Sequence, residues 1–287
     1  MQALTVVALM ISFLGGLQET RTASLDAKST AAKSIKPFSE APSTIEALPF
    51  KIGEVLTYEA TFSKFIFSGT IGELTLSVLL PSDPSKSKLL ELRADAASKG
   101  FFPALIGLKV KDRFSAFINP RDFGLEYSAR NIEENKVKRT HQSTIVRDSG
   151  KVRVVDSDLT KDNVSTTTKE APSPCWTQDV LSALYYARFQ PLREGDTIPV
   201  PISDLGSNYN IELAVLQREE VKVTAGKFKA IQIDIRAFNG RYVKRSGELM
   251  IWLSDDNRRI PILARLKTSG YTATIELKKI ASGERAN

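Results

Sequence analysis

Apolar and polar residues alternate strictly through segment after segment of this chain, and few folds accept that pattern. Leu74, Leu76, Val78 and Leu80 fall on one face of an extended segment. Leu90, Leu92, Ala94 and Ala96 do the same in the next, with Glu91, Arg93 and Asp95 opposite. Tyr209, Ile211, Leu213 and Val215 repeat the pattern, as do Ile231, Ile233 and Ile235, and then Tyr271, Ala273, Ile275 and Leu277. A period of two sustained this long means strands with one face on a core and the other in water. Turn chemistry separates them, at Pro81 to Pro84, Asn119-Pro120, Asp148 to Gly150, Ala225-Gly226 and Asp255 to Asn257. Asn239-Gly240 between two strand-like runs predicts a tight hairpin, because both central residues of that turn take positive φ. About twelve strands are expected, none alternating with a long helix, which excludes parallel βαβ units.

One helix is expected, from Thr177 to about Phe189. Thr177 caps it, Asp179 sits in the first turn, Val180, Leu181, Leu184 and Tyr185 form an apolar stripe, and Pro191 ends it. The fold class that follows is mainly β: an antiparallel sheet forming an open barrel or sandwich, with one principal helix packed on it.

Two segments depart from simple alternation. Leu249-Met250-Ile251-Trp252-Leu253 is apolar on both faces, so this strand is covered on each side, by the core and by either the helix or an apolar ligand. Phe101-Phe102-Pro103-Ala104-Leu105-Ile106-Gly107-Leu108 joins two strands, and Pro103 and Gly107 argue against its being a strand itself. A connection this apolar is either tucked against the core or shapes the mouth of a cavity or a contact surface. Phe101, Phe102, Leu105, Ile106 and Trp252 are therefore the candidate ligand-binding residues.

The ends of the 287-residue chain read differently from its body. Ala3 to Leu17 is an apolar run, short for a membrane span of roughly 20 residues, and small residues follow it around Thr22, Ala23 and Ser24. It is read as a signal-peptide-like segment over residues 1–23, which places the protein outside the cytoplasm, in the periplasm. No basic residue precedes the run, and whether it is cleaved is left open. No cysteine follows it, which excludes a lipoprotein anchor. Residues 24–48 are rich in Ser, Thr, Ala, Lys and Pro and read as a flexible tether, leaving a single β-rich domain over residues 49–282.

Most functional classes lack the residues they need. One cysteine, Cys175, and one histidine, His141, exclude an internal disulfide and a cysteine-based zinc site. The two stand apart in sequence and are read as a small buried thiol and a solvated imidazole. No Gly-x-Ser-x-Gly occurs, and Gly226-Lys227-Phe228 lacks the hydroxyl and the helix of a phosphate-binding loop. Asp255 and Asp256 precede Asn257 and read as a strand-ending turn rather than a carboxylate pair. One of Asp112 and Arg113, mid-strand, faces inward and needs a partner such as Glu59 or Arg265. Forty Lys and Arg against thirty-three Asp and Glu give a net charge of +7, but the basic residues are scattered and not interleaved with stacking aromatics. Nucleic acid is not an expected partner. Catalytic residues, metal ligands and cofactors are not expected, nor is an integral membrane body.

Several segments, taken in order, resemble the bacterial domain-of-unknown-function family 3108. They are Gly53-Glu54-Val55-Leu56-Thr57-Tyr58, then Gly100-Phe101-Phe102 with Val110-Lys111-Asp112-Arg113-Phe114, then Thr177-Gln178-Asp179-Val180-Leu181, Val223-Thr224-Ala225-Gly226-Lys227-Phe228, and Ile251-Trp252-Leu253-Ser254-Asp255-Asp256. The likeness runs from about Pro49 to Ile280. It implies an exported protein of Gram-negative-type bacteria with a barrel-like or sandwich-like β domain, and it brings no established activity and no catalytic residue. Two functions remain: a non-enzymatic envelope protein holding an apolar small molecule or lipid, or an interaction protein with a packed core that recognises a protein or polysaccharide.

Overall fold

The computed structural model describes residues 48–105, 107–238, 243 and 246–282. The Ala3 to Leu17 run, the tether up to Ala47 and the Asn239-Gly240 turn lie outside the described residues. In chain order the first half contains β1 (Glu54–Lys64), β2 (Phe67–Leu79), β3 (Leu90–Ser98), helix α1 (Phe101–Leu105), β4 (Lys111–Ile118), β5 (Leu125–Glu134), β6 (Val137–Val146), β7 (Lys151–Asp158) and β8 (Ser165–Pro172). Helix α2 (Val180–Ala187) follows, and then β9 (Thr197–Asp204), β10 (Ser207–Val223), β11 (Gly226–Ile235), β12 (Glu248–Ser254), β13 (Pro261–Lys267) and β14 (Thr272–Ser282).

The fourteen described strands form one antiparallel sheet in the order β8-β7-β6-β5-β4-β3-β2-β1-β14-β13-β12-β11-β10-β9, two more than the turn signals separate. Each half is a simple meander, and the first and last strands join them, Glu54 pairing with Ser282 and Phe62 with Ala273. Five register breaks, among them those at Ala60/Thr61, Val215/Gln217 and Trp252/Leu253, act as bulges that increase local twist and curl the sheet. Alternation then sets the faces: Leu56, Tyr58, Ala60 and Phe62 of β1 and Leu74, Leu76 and Val78 of β2 are buried on the concave side.

The sheet does not close, and its two edges are β8 and β9. Strand β8 carries Ser165-Thr166-Thr167-Thr168-Lys169-Glu170 with every one of these side chains exposed, a polar edge that discourages further pairing. Strand β9 carries Pro199 and Pro201, which lack an N–H, so the edge shows only carbonyls there. The chain between β8 and α2 covers that edge. The Gln178 N–H donates to Pro201 O at 2.9 Å, and the Ser203 N–H donates to Gln178 O at 2.8 Å. On its other side the same segment is fastened to the β4–β5 turn: Leu125 N–H donates to Thr177 O, Gln178 Nε2 to Phe123 O, and Trp176 Nε1 to Asp122 O. At the tip of the β9–β10 hairpin the edges nearly meet, with Asn208 Nδ2 donating to Pro172 O at 2.8 Å.

Helix α2 is shorter than the spacing predicts, and its cap is different. Thr177 is spent on the β9 edge, its hydroxyl donating to Pro201 O, so the cap falls to Asp179, which accepts from the Ser182 N–H at 2.7 Å while Ser182 Oγ accepts from the Asp179 N–H. Cys175, expected to be buried, is exposed beside this connection. His141 is not a free solvated ring: its Nδ1 lies 2.8 Å from Asp156 Oδ1 across β6 and β7. Asp255 and Asp256 do form the strand-ending turn, Asp256 accepting from the Arg258 and Arg259 N–H groups.

Candidate functional site

Helix α2 lies on the concave face, and its two sides do different work. Tyr185 and Tyr186 join Phe50, Phe123, Phe189 and Trp176 in an aromatic cluster that anchors the helix, its pairs edge-to-face except for the tilted Phe123–Tyr186 contact. Val180, Ala183, Leu184 and Ala187, at the 0, 3, 4, 7 spacing of one helical stripe, face a cavity instead. Its volume is about 170 Å³, and β1, β2 and β9 to β14 supply the rest of its wall. The small side chains of Ala183 and Ala187 leave the space: larger residues on this stripe would close it.

The wall is apolar throughout. Leu74 and Leu76 come from β2, Ile211 and Leu213 from β10, Leu249 and Ile251 from β12, and Tyr58 is the one lining residue with a polar side-chain atom. That hydroxyl is already used, donating to Pro261 O at 2.9 Å, and burial holds its pKa well above the usual phenol value. Nothing here activates water or stabilises charge, so the cavity can hold hydrocarbon and exclude polar solutes.

Buried charge clamps both ends of α2. At its C-terminal end Arg188, fully buried, donates to both carboxylate oxygens of Glu54 at 2.6 and 2.9 Å and to Arg258 O at 3.0 Å. Its guanidinium also lies over the rings of Phe50 and Tyr185, and a cation there opposes the negative end of the helix dipole. Burial raises the pKa of Tyr185. At the N-terminal end Arg130 of β5 pairs with Asp204 of β9 inside the curl. Burial raises the pKa of the capping carboxyl of Asp179, against the opposing pull of the Ser182 N–H and of Arg130.

Of the five residues the sequence singles out, the structure places three away from this cavity. Phe101 and Leu105 lie on α1 and are 78% and 66% exposed, neither tucked against the core nor lining this cavity. Trp252 is buried, but alternation turns it to the opposite face of β12 from Leu249 and Ile251. There its Nε1 donates to Glu219 Oε1 at 2.7 Å and Arg265 covers the ring, so protein and not ligand covers that face. The side chain of Phe102 and all of Ile106 lie outside the described residues. The residue missed is Ala183. The signal for it was the run Val180, Ala183, Leu184, Ala187, where two alanines interrupt an otherwise bulky stripe.

Asp112 is the member of the Asp112-Arg113 pair that faces inward, and its partners are neither Glu59 nor Arg265. Its Oδ1 accepts from the Glu133 N–H at 2.9 Å, while its Oδ2 is buried without a hydrogen-bond partner. Burial pushes its pKa up to about 7, with the negative charges of Glu134 and Glu133 adding to the rise. Arg113 faces out to Asp95.

Among the described residues, no helix is long and apolar enough to cross a membrane. No functionally curated protein matches the chain. Among solved structures it is similar to a β-barrel-like protein of the DUF1849 family from Brucella abortus, with a TM-score of 0.50 and 9% identity over 81% of this chain and 98% of that one. It also aligns with a candidate lipoprotein from Parabacteroides distasonis (TM-score 0.34, 9% identity, 82% and 97% covered). A third alignment is with a protein of YmcC-like fold from Bacteroides fragilis (TM-score 0.30, 11% identity, 82% and 98% covered). The first of these shares the barrel-like fold. The model of a family described as proteins of unknown function, DUF3108, matches residues 57–278, which takes in β2 to β13 whole, and the chain belongs to that family.

Proposed function

We propose that this protein is an exported, non-catalytic binding protein that holds an apolar or lipid-like ligand in the cavity beneath α2, on the periplasmic side of the cell envelope. The cavity wall carries the proposal: a space of about 170 Å³ in which the one polar side-chain group is already hydrogen-bonded. A dry apolar cavity of about 150 Å³ suffices to take up benzene, whereas pockets for drug-sized molecules begin at about 300 Å³. The occupant that fits is a small apolar molecule or the end of one acyl chain, with any polar head left outside. The Ala3 to Leu17 run supports export. The open space beneath α2 weighs against an interaction protein with a filled core.

Mass spectrometry of organic extracts from the purified protein tests this directly. A co-purifying apolar molecule near one per chain is expected. Titration with C6 to C12 fatty acids should raise the unfolding midpoint, by about 2.7 kcal/mol of stability at a hundredfold excess over Kd. An empty extract together with an unmoved midpoint across the series would refute the proposal.

A further inference from the structure

The four most exposed large apolar side chains among the described residues, Phe65, Ile66, Phe101 and Leu105, gather at one end of the sheet. In an antiparallel meander alternate connections share an end, so the β1–β2 turn, the β3–β4 connection with α1, and the β5–β6 turn lie together. Backbone contacts confirm it: Lys99 N–H donates to Ile71 O, and Asn135 N–H donates to Lys109 O at 2.8 Å. The β1–β2 loop has two residues, Phe65 and Ile66, between paired Lys64 and Phe67. They are 90% and 92% exposed. Phe65 has φ of 52°, the left-handed region where a tight hairpin favours Gly or Asn and disfavours a bulky side chain. Two large apolar residues thus occupy a position where local backbone preference opposes at least one of them and core packing rewards neither. Phe101 and Leu105 of α1 stand exposed beside them.

Basic residues ring this tip. Lys64 Nζ lies 5.9 Å from the Phe65 ring centre, and Lys109, Lys111 and Lys136 are exposed on the neighbouring connections. Lys99 bridges Glu73, which takes up that acid's charge, while Glu133 is an exposed acid on β5. A narrow convex apolar tip with a lysine collar, on a chain of net charge +7, matches a soft negative surface better than a shaped protein groove.

We propose that this end of the sheet docks on an anionic lipid surface, Phe65, Ile66, Phe101 and Leu105 entering the interface while Lys64, Lys109, Lys111 and Lys136 meet the headgroups. The tip is seven residues along β1 from Tyr58 of the cavity wall, about 23 Å of extended strand. Docking is therefore independent of whether the cavity takes a ligand, and a failure of either proposal leaves the other standing.

The test uses the full chain with Phe65→Trp, and Leu216→Trp on β10 as the control. Vesicles of 3:1 phosphatidylethanolamine and phosphatidylglycerol with brominated acyl chains supply the surface. Emission from Phe65→Trp should shift to the blue and be quenched by bromine, that from Leu216→Trp should not, and pure phosphatidylcholine or 0.5 M salt should weaken the effect. Phe65→Ser combined with Ile66→Ser should lower partitioning at least about tenfold without lowering the unfolding midpoint. Absence of partitioning overturns the proposal. So does an unquenched Phe65→Trp on vesicles that carry the protein, since the contact then lies in the N-terminal apolar run or on another face. A concentration-dependent blue shift without vesicles would assign the tip to a second copy of the chain, which also overturns it.

Discussion

Ala183→Leu separates a cavity that is used from a defect in packing. Ala183 is half-buried on the α2 stripe and its side chain faces the void of about 170 Å³. Leucine adds three carbons, roughly 80 Å³, which the void accommodates. At about 24 cal/mol per Å³ of cavity, filling that much recovers about 2 kcal/mol. Ordering a leucine rotamer costs about 0.5 to 1 kcal/mol, so a net gain of about 1 kcal/mol is expected. Urea unfolding followed by tryptophan emission reads this as a higher midpoint at unchanged slope. The same variant should lose the stabilisation that decanoate gives the parent. If Ala183→Leu destabilises by more than about 2 kcal/mol, the space is not available and the reasoning fails. If it stabilises and decanoate still protects it, the ligand sits elsewhere.

Three further outcomes follow from groups outside the cavity wall. Arg188→Met leaves the largely covered Glu54 carboxylate without its partner and should cost about 3–5 kcal/mol, most of it recovered when Glu54→Leu is added, as a double-mutant unfolding series would show. Asp112 has a folded pKa of about 7 against an ordinary 3.8, so the folded state holds the proton more tightly and stability falls as pH rises between those values, by up to about 4 kcal/mol. Asp112→Asn should flatten that slope and be the more stable protein at pH 8 by about 1–3 kcal/mol, and an undiminished slope in thermal melts would count against the assignment. Trp176→Ala and Trp252→Ala should each cost about 3–5 kcal/mol, because both rings are buried and both indole N–H groups donate to protein oxygens. Loss of less than 1 kcal/mol in either would show that ring to be poorly packed.

The strand pattern was legible because alternation is a local property. Leu74 to Val78 or Ile231 to Ile235 needs no knowledge of the rest of the chain to declare its buried face. The pairing of β1 with β14 was not legible, since nothing in Glu54 to Lys64 names a partner more than 200 residues away. The helix limits shifted for a similar reason: Thr177 is a competent cap in isolation, and only the β9 edge, with its carbonyl at Pro201, takes the hydroxyl away. For the candidate site, hydrophobicity pointed to the greasiest segments, Phe101 to Leu108 and the strand around Trp252. A cavity is made by what is missing from a packed wall, and the small side chain of Ala183 carries little weight in a hydrophobicity reading. The exposure of Phe101 and Leu105 depends on where α1 sits at the sheet end, which no spacing encodes.

The seam between the first and last strands also governs how the chain can be built. Strands β1 to β8 and β9 to β14 are each stitched from neighbours, so their ladders can form soon after the residues emerge. The seam cannot: Glu54 waits for Ser282, and until then β1 offers a bare edge of backbone donors and acceptors beside its apolar face. Helix α2 waits too, since Glu54, its ion partner through Arg188, sits on that same unfinished strand. A nascent chain lacking β14 would thus stay soft at its centre and open to capture by a chaperone, and synthesis of β14 would decide when the whole domain sets.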